Sequence, residues 1–138
     1  MKESFILDAC ALIAYLKQEA GYELMISFFD RAIDKEITLF MHKLNLLEVY
    51  YGFYRDDGKE LAEAILSDSL SLPIKIVDDL GVPLFREAGR LKASCDISFA
   101  DSIVLAFASV TGRAIITADR HEFEPLEHKE AIKFSWIR

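Results

Sequence analysis

Short apolar runs alternate along the chain with longer stretches whose apolar positions recur every three or four residues. Phe5-Ile6-Leu7 suits a strand buried on both faces, and Thr38-Leu39-Phe40-Met41, Ile74-Lys75-Ile76-Val77 and Ala114-Ile115-Ile116-Thr117 are also predicted strands. The segment Ile132 to Ile137 alternates in polarity, as an edge strand does. Residues 11–17, 22–35, 44–54, 59–70 and 82–94 have helical character. In 22–35, Leu24, Met25, Phe28, Phe29 and Ile33 form one face, with Glu23, Asp30, Arg31 and Asp34 between them. Residues 59–70 are expected to bury Leu61, Ile65 and Leu66. Residues 82–94 are expected to bury Leu84, Phe85, Ala88 and Leu91, with Pro83 tolerable only in the first turn. Residues 97–108 are apolar on almost every face, which predicts a buried helix stopped by Thr111-Gly112. Residues 119–123 read as a loop or a single turn. Strands alternating with helices predict an α/β layered domain with a mostly parallel sheet.

Four acids break this pattern. Asp8 is the only charge between Glu3 and Lys17, Glu48 the only one between Lys43 and Arg55, and Asp101 the only one between Asp96 and Arg113. Asp119 comes two residues after the strand-like run 114–117. Each has an ordinary local role open to it. Asp8 can cap the helix that follows. Ser98-x-x-Asp101 resembles a capping box. Asp119 can be a turn residue. A mid-helix Glu such as Glu48 is usually solvated, but this one shares a stripe with Leu44, Leu47 and Tyr51.

The alternative is that the four meet. In parallel sheets the functional crevice lies at the carboxyl ends of strands, where Asp8 and Asp119 both fall. Two unit charges ~4 Å apart repel by roughly 4 kcal/mol at an effective dielectric of 20, so a cluster of four requires protonation or a cation. Oxygen-only ligands select Mg²⁺ or Mn²⁺ ahead of Zn²⁺. His42, His121 and His128 have no zinc-type spacing. Acid-only clusters holding Mg²⁺ suit phosphodiester hydrolysis.

Phe5-Ile6-Leu7-Asp8, Leu46-Leu47-Glu48-Val49, Ser98-Phe99-Ala100-Asp101 and Ile116-Thr117-Ala118-Asp119-Arg120 together resemble the four acidic motifs of PIN-domain ribonucleases. The resemblance runs over essentially all of residues 1–138, as one domain. It is nearest the VapC-type toxins of prokaryotic toxin–antitoxin systems. It implies a three-layer α/β/α fold and endonucleolytic cleavage of RNA by metal-activated water. It makes Asp8, Glu48 and Asp101 the principal ligands of Mg²⁺ or Mn²⁺, and Asp119 completes the site. It gives Thr117 a supporting hydroxyl, and Ser98 is placed beside Asp101 in a similar role. A homodimer and a cognate antitoxin are further implications. One departure stands out: members often carry Ser or Thr just after the first Asp, where this chain has Ala9 and Cys10.

The totals narrow the class. Hydrophobic residues make up 52% of 138, too many for a disordered chain. A net charge of −7 argues against holding nucleic acid through bulk positive charge. Two cysteines give no disulfide framework, and the absence of a signal-peptide pattern or a membrane-length apolar run places the protein in the cytoplasm as an expectation. Arg120, beside Asp119, is the best candidate for a substrate phosphate. Arg86, Arg90 and Lys92 read as a solvated face. Tyr50, Tyr51, Phe53 and Tyr54 can stack bases, although such clusters are more commonly core or subunit contact. Two other functions compete. A PIN-like module that binds RNA or protein without cutting is supported by the missing hydroxyl after Asp8. A phospho-aspartate enzyme fails because Cys10 stands where a second Asp is needed.

Overall fold

The computed structural model describes residues 2–138. The element order is β1 (Glu3–Leu7), α1 (Ala9–Leu16), α2 (Tyr22–Ile33), β2 (Ile37–His42), α3 (Lys43–Asp57), α4 (Lys59–Leu70), β3 (Lys75–Val77), α5 (Val82–Ser94), α6 (Phe99–Thr111), β4 (Ala114–Thr117), α7 (Arg120–Lys129) and β5 (Phe134–Trp136). The five strands form one sheet, ordered β3-β2-β1-β4-β5, and every pairing is parallel.

Strands buried on both faces explain the unbroken apolar runs. Phe5, Leu7 and Ile116 face one core with Leu12, Met25, Leu39 and Val49. Ile6 and Ile115 face the other, with Leu105, Phe123 and Leu126. Each face is covered by helices, which gives the three-layer α/β/α arrangement. The chain builds outward from β1 through β2 to β3, then returns to β4 on the other side of β1. That reversal opens a crevice above the carboxyl ends of β1 and β4.

Several expectations need correction. Residues 120–129 form a ten-residue helix rather than a loop or single turn. Pro125 inside it masks the helical pattern, since proline removes an N–H from the ladder. Burial of Phe123 and Leu126 holds the helix down, with Phe123 stacked on Phe134 at 5.4 Å. In α4, Leu61 is 41% exposed, while Ala62 and Ser69 are buried and Ile65 and Leu66 half-buried. Small side chains let that face lie close to its neighbours, and Ser69 Oγ satisfies itself on the Ile65 carbonyl at 2.7 Å. Phe85 in α5 and Phe99 in α6 are exposed on the outer surface rather than buried. β5 is an edge strand, but its three residues are all half-buried, with Phe134 and Trp136 stacked on one another.

One glycine is fixed by geometry. Gly21 opens α2 at φ +101°, and a Cβ there would stand 2.9 Å from the Ile137 carbonyl oxygen. Only glycine satisfies both the backbone and the close approach.

Candidate metal centre

Asp8 follows β1 and caps α1. Its Oδ1 accepts from the Ala11 N–H at 2.8 Å and its Oδ2 from the Thr117 hydroxyl at 2.5 Å. The capping role and the site role therefore coexist on one carboxylate. Thr117, the last residue of β4, also accepts from the Asp119 N–H at 3.0 Å. One buried hydroxyl thus ties the residues that follow two neighbouring strands. Asp119 in turn caps α7 through Glu122 N at 3.1 Å. Ser98 caps α6, accepting from Asp101 N at 3.0 Å, and its hydroxyl also acts on the Asp101 carboxyl. Three helix N-termini, those of α1, α6 and α7, carry these acids. Each presents unpaired N–H groups and a positive dipole end.

Glu48 comes from α3. That helix buries Asn45, Leu46, Val49 and Phe53, whereas Leu47 and Tyr51 are half-exposed. The stripe that carries Glu48 is thus the rim of a crevice and not the core side. Asn45 is almost wholly buried, and its Nδ2 donates to the Ala100 carbonyl at 3.0 Å, clamping α3 to the first turn of α6. The clamp fixes Glu48 relative to Asp101. Its Oδ1 is buried without a partner.

Asp8, Glu48, Asp101 and Asp119 line one cavity of about 270 Å³, together with Ala9, Cys10, Ile13, Tyr51, Gly52 and Arg55. The structure therefore brings the four sequence-predicted acids together. Their charges are felt mutually. Burial pushes Asp8 up to about 7; its two hydrogen bonds oppose the shift, and the Asp101 and Asp119 charges add to it. Burial and then the Glu48 charge push Asp101 up to about 6, with the Ser98 hydroxyl pulling the other way. Glu48 is raised by burial and by Asp119. The Cys10 thiol is pushed up to about 12 by burial and then by all four carboxylates.

Such a set is incomplete without positive charge. Among the described residues, no three His, Cys, Asp or Glu side chains stand close enough together to form a ready-made cage. The donor chemistry, four carboxylates and no histidine, fits a hard divalent ion such as Mg²⁺ or Mn²⁺.

The remaining candidates divide. Thr117 hydrogen-bonds Asp8, and Ser98 accepts from the Asp101 N–H. Arg120 does not line the cavity: its Nε donates to the Arg138 carbonyl at 2.8 Å, and its guanidinium lies over Trp136 and near Glu124. The cation that does line the cavity is Arg55, seven residues after Glu48 and hence on the same face of α3. That spacing was the available signal. Cys10 and Gly52 also line it. Of the aromatic cluster, Phe53 is core, and Tyr51 faces the cavity half-exposed.

A crevice at the switch point of an all-parallel sheet, walled by four carboxylates on separate elements, defines a class of acid-site α/β/α domain. The PIN domain family model matches residues 5–128, and the chain belongs to that family. No curated protein matches it by sequence. Among solved structures it is similar to a chain of VapBC2 from Rickettsia felis bound to a promoter DNA fragment. That match has 18% identity and a TM-score of 0.75, and covers 96% of this chain and 97% of the other. A chain of DNA-bound VapBC from Salmonella typhimurium aligns at 17% identity, TM-score 0.76, over the whole of both. VapC20 from Mycobacterium tuberculosis, a toxin that cleaves the sarcin–ricin loop, aligns at 16% identity, TM-score 0.67, over 88% of this chain and 94% of its own.

Proposed function

We propose that this chain is a Mg²⁺- or Mn²⁺-dependent endoribonuclease and the toxin of a VapBC-type pair, acting in the cytoplasm. The observation that carries the proposal is the meeting of Asp8, Glu48, Asp101 and Asp119 on the walls of one cavity. Asp8, Glu48 and Asp101 would hold the cation, with Asp119 completing the site. When bound, the divalent ion supplies an acidified water and neutralises charge on the attacking and leaving oxygens. The chain's own residues do the rest. Thr117 and the Ala11 N–H fix both oxygens of Asp8, so that carboxylate cannot swing away. Asn45 holds the helix bearing Glu48 against the helix bearing Asp101. Burial removes competing water from Asp8 and strengthens its pull on a cation.

An antitoxin partner and a homodimer belong to the same proposal. The exposed Val82 and Phe85 on α5 and Phe99 on α6, two helices packed on one another, support a covered face there. No helix among the described residues is long and apolar enough to cross a membrane.

The test is cleavage of RNA by the pure protein with Mg²⁺, against chelator and against Asp8→Asn and Asp101→Asn. Cleavage only by the unaltered chain with metal is the expected result; equal activity in all would sink the proposal. A second reading, a PIN-fold module that binds without cutting, is favoured by Cys10 and Ala9 standing where a hydroxyl is missing. Absence of Mn²⁺ binding by calorimetry, with the fold intact, would select it.

A further inference from the structure

The acid cavity does not end at the acids. It runs into a second depression of about 180 Å³ that shares Ile13, Gly52 and Arg55 with it and is lined further by Lys17, Asp56 and Asp57. Together they form a groove between α1 and α3. On α3, Glu48, Tyr51, Gly52 and Arg55 follow at spacings of three, four and seven, so they share one face. Along the helix axis Tyr51 stands about 4.5 Å and Arg55 about 10.5 Å beyond Glu48. A carboxylate, an aromatic ring and a cation therefore succeed one another along a single wall.

Three features of that wall are unexplained by packing. Tyr51 is 49% exposed beside the acids rather than in the core. Among the described residues Arg55 pairs only with its neighbour Asp56, at 2.9 Å, with its side chain 68% exposed, an ion pair of little strength. Gly52 sits in mid-helix, where glycine costs about 0.5–1 kcal/mol relative to alanine. A Cβ built there meets nothing within 4 Å, so no neighbour demands the glycine.

We propose that this groove holds the nucleotide flanking the scissile phosphate of a single-stranded RNA. Its base stacks on Tyr51 above the open floor at Gly52. Its outer phosphate takes Arg55 away from Asp56, and Lys17 stands further along the same path. The assignment rests on the nuclease proposal and adds to it the residues that select a single strand. An aromatic ring followed by cations is the arrangement that binds single strands without reading sequence.

The test is binding of a fluorescein-labelled single-stranded RNA by anisotropy at several salt concentrations. Asp8→Asn serves as the common background so that no strand is cut. Gly52→Leu fills the floor with a better helix former, so it should keep or raise Tm while weakening binding at least tenfold. Tyr51→Ala should weaken binding roughly tenfold. Arg55→Ala should lower the slope of log K against log salt by about 0.7, the release expected for one phosphate on a single strand; a structural effect alone would leave that slope unchanged. Unchanged affinity and slope in all three, while the chain with Asp8 restored still cleaves RNA with Mg²⁺, overturns the groove assignment alone. Failure of that chain to cleave or bind RNA overturns the assignment together with the proposal beneath it.

Discussion

The Thr117 hydroxyl donates to Asp8 at 2.5 Å while accepting from the Asp119 N–H at 3.0 Å, so one oxygen positions two of the four acids. Thr117→Val keeps the shape and removes both bonds. Residues that orient metal-binding carboxylates typically cost 10–100-fold in affinity or activity when lost. The expected outcome is a Mn²⁺ affinity lowered by about that range, with stability lower by about 1–2 kcal/mol for the buried groups left unpaired. Thr117→Ser should restore most of both. Calorimetry with Mn²⁺ and thermal melts check it.

Asp8 and Asp101 are raised from the ordinary value of 3.8 to about 7 and about 6 in the folded chain. A carboxyl raised by folding binds its proton more tightly folded than unfolded. Its contribution to stability is therefore full below about 3.8 and is lost as pH rises through 6 and 7. The chelated protein should accordingly melt at a higher temperature at pH 5.5 than at pH 8. A divalent ion binds the ionised forms, so Mn²⁺ should raise Tm at pH 8 much more than at pH 5.5. A chelated Tm that climbs from pH 5.5 to 8 would contradict the burial of these charges.

Removing one charge from the cluster should stabilise the metal-free chain. Asp101→Asn takes away repulsion with Glu48 and Asp119 and leaves the Ser98 cap in place, since that bond uses the Asp101 backbone. A gain on the order of 1 kcal/mol, roughly 3–5 °C in Tm, is expected at pH 8. Nuclease activity should fall at least a hundredfold. A lower Tm in the metal-free protein would show that Asp101 makes a favourable contact outweighing the repulsion.

Asp8, Glu48 and Asp101 were legible in the sequence because each is a lone charge in an apolar setting, and such a residue is costly unless something needs it; Asp119 was legible from its place just after an apolar strand. The strands were legible for the same reason, their apolar runs being too short for helices. Helix α7 was not, since Pro125 and seven charged or histidine neighbours hide a stripe of only Phe123 and Leu126. Arg120 looked like a phosphate ligand from its place beside Asp119, but capping by Asp119 starts a helix that turns Arg120 toward Trp136. Adjacency along the chain says little about direction. Arg55 and Tyr51 were readable from their helical spacing to Glu48, yet nothing local distinguishes a helix face lining a cavity from one facing open solvent.

Gly21 offers a check on the fold that does not involve the acids. At φ +101° with the Ile137 carbonyl oxygen 2.9 Å from a built Cβ, Gly21→Ala is strained in both backbone and contact. A loss of about 2–4 kcal/mol is expected from positive-φ strain and overpacking combined. Chemical denaturation measures it. A change within ±0.5 kcal/mol would mean that the carboxyl-terminal segment does not lie against the α1–α2 turn.

The middle strand of the sheet is the first one synthesised, and the partner that finishes its second edge arrives more than a hundred residues later. Asp8 leaves the ribosome early, with no Thr117 to hold it and no Asp101 across the cavity. Until β4 slides in beside β1, a growing polypeptide carries its acids as scattered, solvated groups. Assembly of the four acids thereby waits on the synthesis of β4, a delay written into strand order alone.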